Sequence, residues 1–297
     1  MSKAFVVLNP NAGRIEAGIV RRAVQEHLHR KGWKYEIYET SGQDYDRDIV
    51  MEASKREYSY FIAAGGDGTI SNVAECLIDK DIPLGILPTG TGNGIARAIS
   101  IPLDLDEALD VITQEESFYD LDAMKIEDRY FFLMIGIGLS AKALKESQID
   151  EKRCLGRLYY ALLTLKAYFG FQPHRFQMEI DDVRYVTHGY EILLLNCGTI
   201  GDPILQWEED ILSNDGEIDI YNIRAKNVLD TFRIIWNAMT GQERTDPSIS
   251  AYKMKQKIRV KTGTPLPVQG DGDFIQYTPI EVTVVPQALK VLVSSGH

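Results

Sequence analysis

The stretch YFIAAGGDGTISNVAECL, residues 60–77, passes from an apolar run into three glycines grouped around one acidic residue. The apolar run is typical of a buried strand, and the residues after the glycines are typical of a helix. A glycine-rich turn between a parallel strand and a helix directs backbone N–H groups and the positive end of the helix at one point. This stretch therefore predicts a site for a phosphate group.

The residues of this turn differ in what they can contribute. Gly65 and Gly66 allow the backbone to approach a ligand closely, and Thr69 can cap the helix or donate to a phosphate oxygen. Asp67 would repel a phosphate unless a divalent cation lay between them, so it indicates magnesium or a magnesium-bound water. An ordinary strand-to-helix turn, with Asp67 or Thr69 as its N-cap, fits the same residues.

Two further polar turns follow apolar runs in the same part of the chain. They are LNPNAG at residues 8–13 and LPTGTGNGIARA at residues 87–98. Loops at the carboxyl ends of neighbouring parallel strands converge at one edge of a sheet, where doubly wound folds bind ligands. Neither turn matches a Walker A sequence, and no Gly-x-Gly-x-x-Gly follows the first strand, so neither a P-loop nor a dinucleotide fingerprint is supported.

Composition limits the classes of protein that the chain can represent. The 297 residues are 44% hydrophobic and 25% charged, which is typical of folded domains with a large core. A net charge of −11 argues against nucleic acid as the main partner. The three cysteines have no metal-ligand spacing, and no apolar run resembles a signal peptide or a membrane span. We therefore expect a cytoplasmic protein with reduced thiols.

The pattern of strands and helices changes part-way along the chain. The first third alternates strands and helices, which predicts an α/β domain with a parallel sheet over residues 1–123. From about Phe118 the strands follow one another with turns between them, which predicts an antiparallel β-sandwich over residues 124–297. Residues 129–138 are predicted as one strand, and residues 280–286 and 288–295 as a terminal pair that could return to the first domain. Further helices are predicted at residues 154–170 and 226–240.

Six segments together resemble one family. They are NPNAG, GGDGT, PTGTGNGIARA, KRCLGRLYY, LSNDGEIDI and VQGDGD, and their order and spacing are similar to those of the diacylglycerol kinase catalytic family. GGDGT alone is shared with NAD kinases and, more loosely, with phosphofructokinases. The resemblance covers nearly the whole chain and implies an α/β nucleotide domain, a β-sandwich, and transfer of a phosphoryl group from ATP, with magnesium, to a lipid hydroxyl.

The resemblance also implies which residues bind ATP. All of them lie in or beside the three polar turns or directly after the second strand. They are Asn9, Pro10, Asn11, Ala12, Gly13, Thr40, Gly65, Gly66, Asp67, Gly68, Thr69, Ile70, Ser71, Thr91, Gly92 and Asn93.

Two acidic residues near the end of the chain suit phosphoryl transfer to an alcohol. This reaction needs a carboxylate near the attacking hydroxyl and a metal that neutralises charge. By resemblance, Asp273 is the general base in place of the family's more common Glu, while Asp271 supports the metal and Asp67 completes the catalytic set. A glycine-rich hairpin with solvated acids is the alternative.

Further oxygen ligands are implied for magnesium. Asp215, with the nearby backbone carbonyls of Leu212 and Glu217, resembles the family's structural magnesium loop, although an ordinary Asn-Asp-Gly turn fits the segment almost as well. By resemblance, Asp120 belongs to the metal network. The chain departs from the family at Gly94, where Asp is usual, and at Asn72, where Glu is common. One carboxylate that would organise the metal is therefore missing.

Residues 142–175 carry seven basic and three acidic residues together with many aromatic and aliphatic ones. Such a segment suits either an anionic membrane surface or a core helix with a basic rim. We expect a lipid acceptor and no nucleic acid as partners, and the sequence leaves peripheral membrane contact and a homodimer open. Two other functions stay open: an NAD kinase-like enzyme, although the Asn-Glu pair of NAD kinases is absent, and a catalytically silent nucleotide- or lipid-binding protein.

Overall fold

The structure, a computed structural model, describes residues 2–13, 15–41, 45–115, 117–146, 172–198, 211–224 and 247–295. The chain forms two compact units. The first unit comprises Met1–Ala123, Ser213–Asp215 and Pro286–His297, and the second comprises Met124–Leu212 and Gly216–Val285. The helices predicted at 154–170 and 226–240, and most of the segment 142–175, lie outside the described residues.

The first unit alternates strands and helices along the chain. Its elements are β1 (Lys3–Leu8), α1 (Ala17–Arg30), β2 (Lys34–Glu39), α2 (Tyr45–Ala53), β3 (Tyr60–Gly65), α3 (Asp67–Leu77), β4 (Leu84–Pro88), α4 (Gly94–Ala98), α5 (Leu105–Gln114) and most of β5 (Ser117–Ile126). The strands pair in parallel in the order β2-β1-β3-β4. The last residues of the chain's final strand, β16 (Ile280–Val293), join this sheet in parallel beside β4 through Val291 and Leu84.

The central strands of the first unit are continuous apolar runs because both faces of the sheet are covered. Residues 61–64 of β3 have no exposed surface. Helix α1 buries Val20, Val24 and Leu28, which recur at helical spacing. The α/β class predicted from the sequence is confirmed by this unit.

The second unit is built almost entirely from antiparallel strands. Its elements are β6 (Arg129–Phe131), β7 (Met134–Gly138), α6 (Leu139–Glu146), β8 (His174–Ile180), β9 (Val183–Gly189), β10 (Glu191–Leu195), β11 (Ile218–Ile223), β12 (Ile249–Met254), β13 (Lys257–Thr262), β14 (Pro267–Gly270), β15 (Asp273–Tyr277) and the first residues of β16. One sheet has the order β16-β13-β8-β9, and the other has the order β12-β11-β10-β7-β14-β15.

The two sheets of the second unit share one core. Phe176 and Val260 from one sheet and Ile192 and Val268 from the other belong to a single buried cluster. Along β13 the buried Ile258 and Val260 alternate with exposed charged residues, as expected for a strand with one solvated face. The predicted β-sandwich is therefore confirmed.

Two strand predictions need correction. Residues 129–138 form two strands, because the chain turns at Phe132 and Leu133, whose N–H groups donate to the distant Asp271 carboxylate. The predicted terminal pair is one continuous strand, β16. Pro286 does not end it, since the strand changes from an antiparallel partner, β13, to a parallel partner, β4, around this residue.

Candidate functional site

Three loops of the first unit contact one another at the carboxyl ends of β1, β3 and β4. The Asn9 N–H after β1 donates to the carbonyl of Ala64 in β3 at 2.9 Å. The Asn9 side chain donates through Nδ2 to the hydroxyl of Thr69 at 2.9 Å. The Thr89 N–H after β4 donates to the carbonyl of Gly65 at 3.0 Å. The convergence of the three polar turns expected from the sequence is therefore present.

Glycine allows these loops to touch backbone to backbone. Gly13 has a φ of +67°, and a Cβ atom there would lie 1.6 Å from the carbonyl oxygen of Thr89. A Cβ atom on Gly90 would lie 2.4 Å from the Cα atom of Gly66. Larger residues at Gly13 or Gly90 would separate the loops. Glycine is therefore required at both positions because the backbones of the loops lie so close together.

Asp67 connects the second loop to the third. It is the first residue of α3, whose N-cap is Gly66, so neither Asp67 nor Thr69 is the N-cap. The Oδ1 atom of Asp67 accepts the N–H of Ile95 near the start of α4 at 3.0 Å. Its Oδ2 atom accepts no hydrogen bond from the residues that the structure describes. One carboxylate oxygen is thus structural and the other is free for a ligand.

Two buried polar atoms in the third loop have no hydrogen-bond partner in the described part of the chain. They are the hydroxyl oxygen of Thr89 and the side-chain oxygen of Asn93, whose residues are 4% and 6% exposed. Asn93 adopts a left-handed backbone with a φ of 55°, and its Nδ2 donates to the carbonyls of Pro88 and Gly90. Buried polar groups are normally paired, and no described residue supplies a partner for these two oxygens.

The other predicted ATP-binding residues lie around the same loops. The Asn11 N–H donates to Oδ1 of Asn9 at 3.0 Å, and the Thr40 N–H after β2 donates to the carbonyl of Leu8 at 2.8 Å. Thr91 is exposed, whereas the hydroxyl of Ser71 is buried without a partner among the described residues. Ile70 is fully buried and packs in the core of the first unit, so its side chain is structural.

In the second unit, the carboxylate of Asp271 holds a backbone corner. It accepts the N–H groups of Phe132, Leu133 and Met134 at 2.8, 3.0 and 2.9 Å, and the Asp271 N–H donates to the carbonyl of Met134 at 3.0 Å. The carboxylate thereby ties the turn between β14 and β15 to the corner between β6 and β7.

Asp273 differs from Asp271 in its surroundings. It begins β15, it is exposed, and its side chain makes no hydrogen bond to a described residue. The turn before it is fixed by Gln269, whose Oε1 accepts the N–H of Gly272 at 3.1 Å. A free carboxylate is thus held on a well-defined hairpin.

Glu191 is a buried acid that the sequence analysis did not single out. It is 3% exposed at the start of β10, and its carboxylate accepts the N–H of Ser140 at 2.8 Å and the Ser140 hydroxyl. Burial raises the pKa of Glu191 to about 7, and the bonds from Ser140 oppose that shift. The sequence signal was an acid directly before four apolar residues at positions 192–195.

The residues predicted to hold a structural magnesium ion lie around residues 211–217. Asp215 belongs to the first unit, while Leu212 and Glu217 belong to the second. The Glu217 carboxylate pairs with Lys253 at 2.9 Å and Lys255 at 2.8 Å, and hydrogen bonds from these lysines lower its pKa. Among the described residues, no group of three or more His, Cys, Asp or Glu side chains could hold a metal. The magnesium loop stays a prediction.

Asp120 and its neighbour Asp122 have different environments in the first unit. Asp120 is exposed and lines a groove of about 430 Å³ together with Tyr119 and Gln287. Asp122 is fully buried, and its carboxylate accepts the Gln287 N–H at 2.7 Å. Asp122 is therefore committed to the fold, whereas Asp120 is accessible.

Comparison with known families covers both units. Residues 3–126 match the diacylglycerol kinase catalytic domain. Residues 134–293 match the YegS C-terminal NAD kinase beta sandwich-like domain. The chain belongs to the diacylglycerol kinase catalytic family. It is therefore a lipid kinase.

Relatives of this lipid kinase match over nearly its full length. A Streptococcus pneumoniae protein named "Putative lipid kinase" is 29% identical over 98% of both chains. The Bacillus subtilis protein named diacylglycerol kinase is 25% identical, covering 92% of this chain and 90% of that protein. A Bacillus anthracis structure described as a diacylglycerol kinase has a TM-score of 0.80 at 20% identity, over 99% of this chain and 98% of that one. The similarity to the Bacillus anthracis structure establishes that the two proteins share a fold.

The family membership of this lipid kinase implies ATP as the phosphoryl donor. Within the part of the chain that the structure describes, no helix is long and apolar enough to cross a membrane.

Proposed function

We propose that this lipid kinase transfers the γ-phosphoryl group of ATP to the hydroxyl group of diacylglycerol in a magnesium-dependent reaction at the cytoplasmic side of a membrane. Diacylglycerol is chosen as the acceptor because a relative and a solved structure carry that kinase name. The observation that carries the proposal is the backbone contact among the three polar turns of the first unit.

These loops supply groups that suit ATP phosphates. Backbone N–H groups at a glycine-rich strand-to-helix turn bind phosphate oxygens. Gly13, which lies close to Thr89, has no side chain that could shield these N–H groups from a ligand. The buried side-chain oxygens of Thr89 and Asn93 have no hydrogen-bond partner among the described residues. A bound nucleotide would provide such a partner. We assign ATP binding to the three loops on this basis.

Asp67 fits a magnesium site of the kind that kinases use. Magnesium in kinases is held by one or two carboxylates together with substrate phosphates and water, so a preformed group of three acids is not required. The Oδ2 atom of Asp67 is free of hydrogen bonds from described residues. Magnesium would neutralise negative charge that develops on the phosphates during transfer. Gly94 leaves one carboxylate fewer for this ion than is usual in the family.

Asp273 is the residue to which we assign removal of the proton from the lipid hydroxyl. A general base needs a carboxylate that is free to accept the proton and is held in place. Asp273 is exposed and its side chain makes no hydrogen bond to described residues, whereas Asp271 is occupied by three N–H groups. In this proposal Asp271 positions the hairpin and Asp273 performs the chemistry.

Radiolabelled ATP and diacylglycerol in neutral detergent micelles provide the test. We expect labelled phosphatidic acid on thin-layer chromatography, dependent on magnesium and lost in Asp273→Asn. Parallel reactions with phosphatidylglycerol, a sphingoid base, a polyprenol and NAD identify another acceptor if one exists. ATP binding without any labelled product would refute the proposal in favour of a silent binding protein.

A further inference from the structure

A buried polar cluster lies where helix α6 packs against β7 and β14 in the second unit. Its members are Ser140 of α6, Glu191 of β10 and Gln269 of β14, and the last two are 3% and 5% exposed. Strand β7 has a glycine opposite each of the two strand residues, with Gly138 opposite Glu191 and Gly136 opposite Gln269. The sheet therefore leaves room for a buried carboxylate and a buried amide next to the helix.

Gly136 marks the point at which the three side chains converge. A Cβ atom there would lie 2.3 Å from the Ser140 hydroxyl oxygen, 2.8 Å from Nε2 of Gln269 and 2.9 Å from Oε1 of Glu191. Any side chain at this position would push the three polar groups apart. The carboxylate and the amide are thus close neighbours because residue 136 is glycine.

Ser140 holds the Glu191 carboxylate in one place. The Ser140 N–H donates to Oε2 at 2.8 Å, and the Ser140 hydroxyl donates to Oε1. Both bonds come from the first turn of α6, where the positive end of the helix favours the ionised carboxylate. Burial raises the pKa of Glu191 to about 7. Above that pH, Oε1 presents a negative charge beside Gln269.

The Gln269 amide has different neighbours at its two ends. Its Oε1 accepts the N–H of Gly272 at 3.1 Å. Its Nε2 lies beside the Glu191 carboxylate and makes no hydrogen bond to a described residue. A reversed amide would set Nε2 against the Gly272 N–H and its oxygen beside the negative charge, and both contacts are unfavourable. The charge of Glu191 therefore favours the amide orientation that holds Gly272.

Gly272 lies in the turn directly before Asp273. Asp271 and Gly272 have φ values of +49° and +91°, the pattern of a two-residue hairpin turn. The Asp271 carboxylate fixes one side of this turn to residues 132–134, and Gln269 fixes the other side through Gly272. The Asp273 side chain makes no hydrogen bond to a described residue, so the backbone of the turn determines where its carboxylate lies.

We propose that Glu191 and Gln269 are positioning residues for phosphoryl transfer: the Glu191 carboxylate orients the Gln269 amide, and the amide fixes the turn that carries Asp273. The inference rests on the proposed function, in which Asp273 is the general base. Neither positioning residue contacts the reacting atoms in this proposal. Their loss should therefore lower kcat, because a displacement of about 1 Å at a catalytic group costs about 10²-fold in rate, and should leave the KM for ATP unchanged.

Gln269→Leu and its matched control Gln276→Leu test the first step. Gln276 lies in the same hairpin, and its side chain makes no hydrogen bond to a described residue. Assays at about pH 8.5 keep Glu191 charged, since its pKa is about 7. We expect a kcat about 10²-fold lower in Gln269→Leu and parent-like values in the control. Hydrogen exchange of the Gly272 amide, followed by NMR, should be about five- to tenfold faster in Gln269→Leu alone.

A swapped pair tests the coupling to Glu191. Gln269→Glu keeps an acceptor for the Gly272 N–H but places a second carboxylate beside Glu191, so we expect a lower kcat and faster Gly272 exchange. Combining it with Glu191→Gln restores one carboxylate and one amide, and should recover about tenfold in kcat. A residue that merely supplied an acceptor to the turn would show neither the loss nor the recovery. Thermal melting confirms that each variant is folded.

Several results would overturn the proposal. They are parent-like kcat and Gly272 exchange in Gln269→Leu, and a swapped pair that recovers nothing relative to Gln269→Glu. Should Gln269→Leu not fold, the swapped pair decides. Parent-like turnover in Asp273→Asn would refute the base, and an inactive parent would refute the proposed function. Gly272 exchange remains measurable in both cases, and protection that is lost in Gln269→Glu and regained in the swapped pair would still support the coupling.

Discussion

The Oδ1 atom of Asp67 accepts a hydrogen bond of 3.0 Å from the backbone N–H of Ile95. These residues are 28 positions apart, and the bond joins the second glycine-rich loop to the start of α4. Asp67 therefore has a structural role in addition to the magnesium role that we propose. Substitutions at this position must therefore distinguish the structural role from the magnesium role.

Asp67→Asn and Asp67→Ala should have different effects. Asparagine keeps the Oδ1 acceptor for Ile95 but removes the charge, so we expect a melting temperature close to the parent and a large loss of magnesium-dependent turnover. Alanine removes both the Oδ1 acceptor and the charge, so we expect the same loss of turnover and, in addition, a stability loss of about 1 kcal/mol. Thermal melting and labelled-ATP turnover measure the two effects. Normal turnover and magnesium dependence in Asp67→Asn would contradict the assignment.

Gly13→Ala tests the backbone contact between the first and third loops. A Cβ atom would lie 1.6 Å from the Thr89 carbonyl oxygen, so the loops must separate. We expect weaker ATP binding by calorimetry and about 10²-fold lower turnover, the scale of an ångström-sized displacement at an active site. Gly32→Ala is the matched control, because Gly32 has a φ of +73° with no atom within 4 Å of the added Cβ. Both variants should lose about 1–2 kcal/mol of folding stability, because a left-handed backbone is unfavourable for alanine. ATP binding should be unchanged in the control.

Substitution of Asp271 should affect stability, whereas substitution of Asp273 should affect catalysis. Asp271→Ala leaves the N–H groups of residues 132–134 without their acceptor, so we expect a stability loss of about 3 kcal/mol in chemical denaturation. Asp273→Asn changes an exposed side chain and should leave stability unchanged while lowering turnover about 10²- to 10⁴-fold. Parent-like turnover in Asp273→Asn would show that another group is the base.

Glu191 should make the stability of the protein depend on pH. Its folded pKa, raised to about 7 by burial, lies above the ordinary value of 4.5. Between these values the folded state holds a proton that the unfolded state has lost, so stability falls as pH rises from 4.5 to about 7 and then levels off. The full effect is on the order of 3 kcal/mol. Glu191→Gln should remove this dependence in denaturation curves, whereas exposed Glu57→Gln should retain it.

Magnesium should stabilise the loop around Asp215 if that loop binds the ion. A ligand that binds only the folded state raises the melting temperature by mass action. We expect magnesium to raise the melting temperature of the parent more than that of Asp215→Ala, with calcium and sodium chloride as comparisons. Equal shifts in both proteins would identify residues 212–217 as an ordinary turn.

The sequence by itself determined the features that depend on near neighbours in the chain. Alternating apolar runs and helical spacing were sufficient for the α/β unit and the β-rich unit, because side-chain periodicity follows from backbone geometry. The glycine-rich turns at residues 65–69 and 87–94 were also visible, since a sharp turn needs particular residues at fixed positions. Family resemblance then assigned chemistry to those turns.

Tertiary structure decided the features that join distant residues. The Asp67 bond to Ile95, the Asp271 carboxylate on residues 132–134 and the contact between Gly13 and Thr89 each span many residues. The break in the strand predicted at 129–138 and the burial of Glu191 have the same origin. Local patterns carry no information about which remote carboxylate or carbonyl fills a space, because only the packing of the complete sheets brings those groups together.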